Sequence, residues 1–180
     1  MSKRLIIVTN SSSNLLSFRG ELIKKLVKEN FEVVVIIPNK DFSIEFETKV
    51  LKLGAKISKI PLERTGINPF HDFLTFFALK NSFKKIKPDI VMSYTSKPII
   101  YSGLAIGKNS KIKFFPNLTG LGYGFTEESQ FKRKVINFIL KKLYKLSLKF
   151  SSVVIFQNPD DENLFRNLKI INDRKTFITN

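Results

Sequence analysis

Short runs rich in Val, Ile, Leu and Phe recur along the chain, and between them lie longer segments whose apolar residues return at helical spacing. The spacing predicts strands at Leu5–Val8, Glu32–Ile37, Lys56–Ile60, Ile90–Ser93, Lys111–Phe115, Ser152–Phe156 and Thr176–Ile178. It predicts helices at Phe18–Glu29, Ile44–Leu53, Pro69–Ile86, Ile99–Ile106, Gln130–Phe150 and Pro159–Leu168. Strict alternation leaves few folds open. A strand followed by a helix and a parallel strand needs a right-handed crossover, and a series of them builds a parallel sheet with helices on both faces. The expected fold class is therefore α/β, a Rossmann-like doubly wound parallel sheet, with strand order about 3-2-1-4-5 and further strands beyond. That order opens a crevice at the carboxyl ends of the first and fourth strands. The segments Thr9–Arg19 and Tyr94–Tyr101, read as loops, are expected to face each other across it.

Composition narrows the chemistry. The 180 residues fit one domain, and 43% hydrophobic content with eighteen Phe supplies a core. With no Cys and one His, neither a disulfide framework nor a multi-His metal site is available. No apolar run reaches the roughly 20 residues of a membrane span. The opening MSKRLIIVTNSSSN has too few apolar residues for a signal peptide, so a cytoplasmic location is expected. The formal charge is +16, which favours polyanions: nucleic acid, anionic lipid or phosphorylated substrates. Part of the lysine content also reflects a chain rich in Lys, Asn, Ile and Phe throughout. A nucleic-acid-binding domain stands as an alternative on charge alone, but no recognisable binding motif supports it, and nucleic acid is not an expected partner.

The unusual strings sit where strands hand over to helices, and each has a plain reading beside a functional one. TNSSSNLLSFRG at Thr9–Gly20 is rich in helix-capping residues. It also offers a polar cleft floor with Ser13, and Arg19 supplies a planar donor fork for phosphate. It contains no G-x-G-x-x-G, so neither a nicotinamide nor a flavin cofactor is expected, and none other is called for. YTSKP at Tyr94–Pro98 reads as a turn into a helix, or as an anion site in which Thr95, Ser96 and Lys97 gather at the helix start. NLTGLGYGF at Asn117–Phe125 brings Asn117, Thr119, Gly120, Gly122 and Tyr123 together in a glycine-laden loop that lets backbone approach a ligand. QNPDDENLF resembles an acid cluster, but Asn158, Pro159 and the acids Asp160, Asp161 and Glu162 read best as a helix start. His71, alone in NPFHD, is not expected to be catalytic.

Gln130–Phe150 is a long amphipathic helix, with no acid anywhere from Ser129 to Pro159. At about 100° per residue, Lys134, Lys141, Lys142, Lys145 and Lys149 share one sector with Phe138. Val135, Ile139, Leu143 and Leu146 fall on another side, expected to face the core. The lysine sector is either a solvated face or a contact with anionic lipid into which Phe138 dips.

From SFRGELIKKL through PLERTGINP and NLTGLGYGF to VIFQNPDDENLF, the chain resembles the amino-terminal half of bacterial GT-B glycosyltransferases of family four, in the surface-polysaccharide branch. The resemblance implies a retaining enzyme that moves a sugar from a nucleotide-sugar donor to a glycan acceptor carried on a polyprenyl diphosphate, at the inner face of the membrane. It places the acceptor in this half and the donor in a carboxy-terminal domain, absent after Asn180. The strings at the strand exits give Ser13, Arg19, Thr95, Lys97, Asn117, Thr119, Gly120, Gly122 and Tyr123 as the expected substrate contacts, and no catalytic residue is assigned. Relatives often carry a His at the end of the fifth strand; here the string is Asn117–Leu118–Thr119. Arg19 and Lys97 are expected to converge on one diphosphate. The chain alone is expected to be inactive, or to serve as a membrane and acceptor platform for a separate donor-domain chain.

Overall fold

The computed structural model describes residues 2–64, 68–108, 110–120 and 131–179. Seven strands form one sheet in the order β3-β2-β1-β4-β5-β6-β7, every neighbouring pair parallel. They are β1 (Arg4–Val8), β2 (Glu32–Pro38), β3 (Lys56–Ile60), β4 (Ile90–Tyr94), β5 (Lys113–Leu118), β6 (Val154–Phe156) and β7 (Thr176–Ile178). Among the described residues six α-helices connect them: α1 (Ser12–Lys28), α2 (Ile44–Lys52), α3 (Pro69–Ile86), α4 (Ser96–Ile106), α5 (Phe131–Leu148) and α6 (Pro159–Asn167), with a 3-10 turn at Asn39–Asp41 after β2. The doubly wound parallel sheet expected from the alternation is the observed fold.

Two-residue periodicity in the central strands divides the core. Leu5, Ile7, Val33, Val35 and Ile37 point to one face, where Leu15 and Ile23 of α1 and Phe46 and Val50 of α2 cover them. Ile6, Val8, Val34, Ile36 and Val91 point to the other, against Leu79 and Phe83 of α3. A third cluster joins Ile99 and Ile100 of α4, Tyr144 and Leu148 of α5, and Phe165 of α6 around Val154 and Phe156. Strands buried on both faces in this way read as continuous apolar runs, which is why β1 and β2 stand out in the sequence.

Helix boundaries follow local capping where it exists. Asn68 Oδ1 accepts from Phe70 N at 3.1 Å and Pro69 opens α3. Asn158 Oδ1 accepts from Asp161 N at 2.8 Å and Pro159 opens α6, with Asp160, Asp161 and Glu162 in its first turn. The acidic string is therefore the helix start that its residues suggest.

Three expectations change. Helix α1 begins at Ser12, six residues before the expected Phe18, so Ser13 and Arg19 are helical rather than in a loop. Its start is completed from a distance: Ser12 N donates to Asp41 Oδ2 at 3.0 Å. Helix α4 likewise begins at Ser96 rather than Ile99, directly after Thr95, whose φ of 71° is a left-handed value unusual for a β-branched residue. The third change is the rotation of α5. Its buried residues are Tyr144, Ser147 and Leu148, while Val135, Ile139 and Leu146, expected in the core, are exposed; Leu143 alone of that set packs inward. Close contact with α4 and α6 decides the rotation. A Cβ at Gly103 would lie 2.6 Å from the Ser147 carbonyl oxygen, and the Tyr144 ring meets Phe165 edge-on at 5.3 Å.

Candidate functional site

A cavity of about 630 Å³ lies at the carboxyl edge of the sheet, on the face that α1 covers. The ends of four adjacent strands and the residues just after them supply its floor: Met92 and Tyr94, Asn117 to Thr119, Ile155 and Gln157, Phe177 and Thr179. Phe18, Arg19 and Leu22 of α1 form its wall. A second cavity of about 250 Å³ continues it toward the end of β1 and shares Phe18, Arg19, Tyr94, Thr119 and Gln157, adding Asn10, Asn14 and Thr95. The second cavity, lined by Thr9 and Asn10 after β1 and by Tyr94 and Thr95 at the end of β4, falls where the strand order reverses, the position a doubly wound sheet reserves for ligands, and the larger cavity extends from it over β4 to β7.

Arg19 is its main charge. Leu15, Arg19 and Ile23 follow at four-residue intervals, so the guanidinium projects from the stripe of α1 that faces the sheet. It rests over the Tyr94 ring, 4.4 Å from the centroid, while Nη1 donates to the Phe18 carbonyl at 2.8 Å. Among the described residues no carboxylate forms an ion pair with it. Burial pushes the Tyr94 phenol above its ordinary value, opposed by the adjacent guanidinium. Arg19 lines both cavities with a guanidinium that carries five N–H donors. Thr95 adds a buried Oγ1 without a hydrogen-bond partner, at the amino end of a helix whose first turn carries no acid. Asn117 is buried, and its Nδ2 donates to the Phe115 carbonyl at 2.9 Å. The arrangement suits an anion bound by charge and by fixed polar groups, with apolar side chains interspersed along the floor.

The remaining sequence-derived residues divide. Thr119 lines both cavities. Ser13 lines neither, its hydroxyl lying 3.0 Å from that of Ser11, and Asn10 and Asn14 take the place expected for it. Gly120 has a φ of 109° at the start of the glycine string; Gly122 and Tyr123 lie outside the described residues. Lys97 does not converge with Arg19. Its Nζ donates to Asp72 Oδ1 at 2.7 Å, both side chains are 14% exposed, and Lys97 lines neither cavity. Because α4 starts at Ser96, Lys97 occupies the first turn and reaches α3 instead of the cleft. Tyr101 completes this clamp: burial, with the Asp72 carboxylate beside it, pushes its phenol well above the usual range. Lys97 joins two helices, so the shared diphosphate site with Arg19 is replaced by Arg19 alone among the cations. Gln157, Tyr94, Asn14 and Thr179 are cleft residues that motif reading passed over; their signal is position at a strand exit, or one turn into the following helix.

On α5, Lys134, Lys142, Lys145 and Lys149 are exposed and Lys141 is partly so. Phe138 is 57% exposed, with the Lys142 ammonium 4.5 Å from its ring centroid. No helix among the described residues is long and apolar enough to cross a membrane.

A family model described as glycosyl transferase 4-like matches residues 5–158. The chain belongs to the glycosyl transferase 4-like family. Its match accords with the amino-terminal GT-B domain that the sequence resembles. Within reach of this family is a curated protein of Campylobacter jejuni, N,N'-diacetylbacillosaminyl-diphospho-undecaprenol alpha-1,3-N-acetylgalactosaminyltransferase, 31% identical over 166 residues. That alignment takes in 92% of this chain and 43% of the relative, so the chain spans less than half of the relative's length. A glycosyltransferase of Rickettsia africae superposes with a TM-score of 0.64 at 20% identity, covering 98% of this chain and 42% of that one. The UDP-GlcNAc 2-epimerase of Methanocaldococcus jannaschii gives 0.61 at 16% identity, covering 97% and 45%. The two superpositions establish a shared fold with glycosyltransferase family and epimerase members alike.

Proposed function

We propose that this chain is the acceptor-side domain of a retaining glycosyltransferase that moves a sugar from a nucleotide-sugar donor onto a glycan carried by a polyprenyl diphosphate, at the inner membrane surface. The observation that carries the proposal is a cleft reaching the topological switch point in which, among the described residues, Arg19 is the one lining cation, rests on Tyr94 and forms no ion pair with a carboxylate. A diphosphate is the ligand that such a fork recognises best. The Thr95 hydroxyl and the first turn of α4 reinforce it from the opposite wall. Polar residues Asn117, Thr119 and Gln157 are placed to orient the acceptor sugar, and Phe18, Leu22 and Phe177 offer apolar contact. The named substrate of the Campylobacter relative, a diphospho-undecaprenol, supports the same ligand class.

Donor binding belongs to a second domain on this reading, supplied in the same polypeptide or by a partner chain. The chain therefore binds acceptor and does not turn over nucleotide sugar unaided. The lysine face of α5 meets anionic lipid and keeps the domain near its acceptor. The test is kinetic, on the chain joined to a donor-side domain. Arg19→Ala is expected to raise the acceptor KM and leave the donor KM unchanged. A selective rise in donor KM, or donor turnover by the chain alone, contradicts the proposal.

A further inference from the structure

Helix α3 carries an aromatic stripe that neither the cleft nor the core uses. Phe70, Phe73, Leu74 and Phe77 recur at the spacing of one helix face, and all four are exposed, Phe70 by 67% and Phe73 by 59%. The rings are already assembled: Phe73 and Phe77 pack with centroids 4.5 Å apart and planes tilted by 54°, and Phe76 meets Phe77 edge-on at 5.1 Å. The opposite face of α3 holds the buried Thr75, Leu79 and Phe83, so the stripe is surplus to folding.

Charge is layered behind it. The same outer face continues through exposed Lys80, Lys84 and Lys85. Seven residues separate Phe73 from Lys80 and Phe77 from Lys84, about 10 Å along a helix axis. The apolar face of an interfacial helix sits roughly 5–10 Å into the headgroup and acyl boundary, so aromatic rings at that depth put these ammonium groups near phosphate level.

Helix α5 also exposes apolar residues among lysines: Val135, Phe138 and Ile139 lie between exposed Lys134 and Lys142, Lys145 and, just past the helix end, Lys149. Helices α3 and α5 flank α4 in one layer, and in a parallel sheet each begins at the carboxyl edge of the strands. The aromatic stripe of α3 and a mixed apolar and basic face of α5 thus stand toward the edge that opens the cleft, each followed by lysines. Asp72, the one acid on α3, is already paired with Lys97.

We infer that the α3 stripe of Phe70, Phe73, Leu74 and Phe77 inserts into an anionic phospholipid bilayer, as a second anchor beside α5, and sets the cleft edge of the domain against the membrane. The inference rests on the membrane-bound reading proposed above and extends it to a second element and a fixed orientation. A single anchoring helix lets the domain roll about that helix; two anchors in one layer remove the freedom, and the acceptor diphosphate then meets the cleft at its own depth.

The chain contains no Trp, so a substitution installs a unique reporter. Phe73→Trp and, separately, Phe138→Trp are mixed with phosphatidylglycerol-containing vesicles, plain and with lipids brominated on the acyl chains. Emission from Phe73→Trp is expected to shift to the blue and to be quenched by bromine, as is that from Phe138→Trp. Response from Phe138→Trp without any from Phe73→Trp overturns the α3 anchor and leaves the α5 contact standing. Silence from both overturns the membrane reading as well. A blue shift that follows protein concentration without lipid identifies a second copy of the chain as the occupant and overturns the inference. Phe73→Ser with Phe77→Ser, both at exposed sites, is expected to weaken vesicle partitioning by at least about tenfold; unchanged partitioning contradicts it.

Discussion

Arg19 and Lys97 look alike in the sequence, two cations near the exits of neighbouring strands, and the structure separates them. Arg19 sits between Leu15 and Ile23 on a sheet-facing stripe, an irregularity visible in the pattern itself: a cation where an apolar residue is due. Lys97 has no such signature, because its partner Asp72 lies 25 residues away on another helix. The two are expected to respond differently to substitution. Lys97→Ala leaves the Asp72 carboxylate largely buried and unpaired, so thermal or urea unfolding should reveal a loss of about 3 kcal/mol, with acceptor affinity changed little. Arg19→Ala should do the reverse, preserving stability and weakening acceptor binding. Glu162 offers a pH test at the same scale. Its Oε1 accepts from Thr176 Oγ1 at 2.7 Å and from Arg166, and the Thr176 bond, then Arg166, hold the carboxyl below its ordinary value against the effect of burial. A depressed carboxylate contributes stability that is present above its ordinary value near 4.5 and disappears as pH falls through the lower, folded value. Glu162→Gln should therefore flatten part of the acid limb of a Tm-against-pH curve; an unchanged limb contradicts the assignment.

At the scale of elements, strands and capped helices were legible because their determinants are local. Helix α3 matches its expected bounds at Pro69 and Ile86, with Asn68 and Pro69 spelling its start. What escaped was set by partners distant in the chain. Helix α1 starts early because Asp41 caps Ser12 from the turn after β2. Helix α5 was read with its hydrophobic residues inward, yet an amphipathic pattern with apolar residues on two sides has no unique solution. Gly103, Tyr144 and Phe165 choose the side, and they leave Val135, Ile139 and Leu146 beside the lysines. The glycine contact has a measurable consequence. Gly103→Ala places a methyl 2.6 Å from the Ser147 carbonyl and 2.7 Å from its Cβ, backbone and rigid side chain that cannot yield cheaply. A loss of about 1–3 kcal/mol in denaturant unfolding is expected, and α5 should be displaced from α4. Wild-type stability in this variant would show that the helices separate freely.

For the whole molecule, one edge of the sheet gathers the features that concern function. The cleft opens there, the exposed tips of α3 and α5 stand there, and the glycine string departs from β5 there. The location of the cleft was legible from strand order alone, since a parallel doubly wound sheet has one switch point. Its lining was legible in part: Arg19, Thr95, Asn117 and Thr119 line it, while Gln157, Tyr94 and Thr179 owe their places to strand register, which sequence spacing does not report. The central claim is that this cleft holds the diphosphate of a lipid-linked acceptor. Its most direct measurement is an equilibrium titration of the chain with a short-chain prenyl diphosphate, by calorimetry, alongside Arg19→Ala. Saturable binding weakened about 10- to 100-fold in the variant is expected, the range of a lost charge-assisted hydrogen bond to phosphate. Equal affinity in the two proteins, or no binding of prenyl diphosphate where a free nucleotide sugar binds at Arg19, would contradict it.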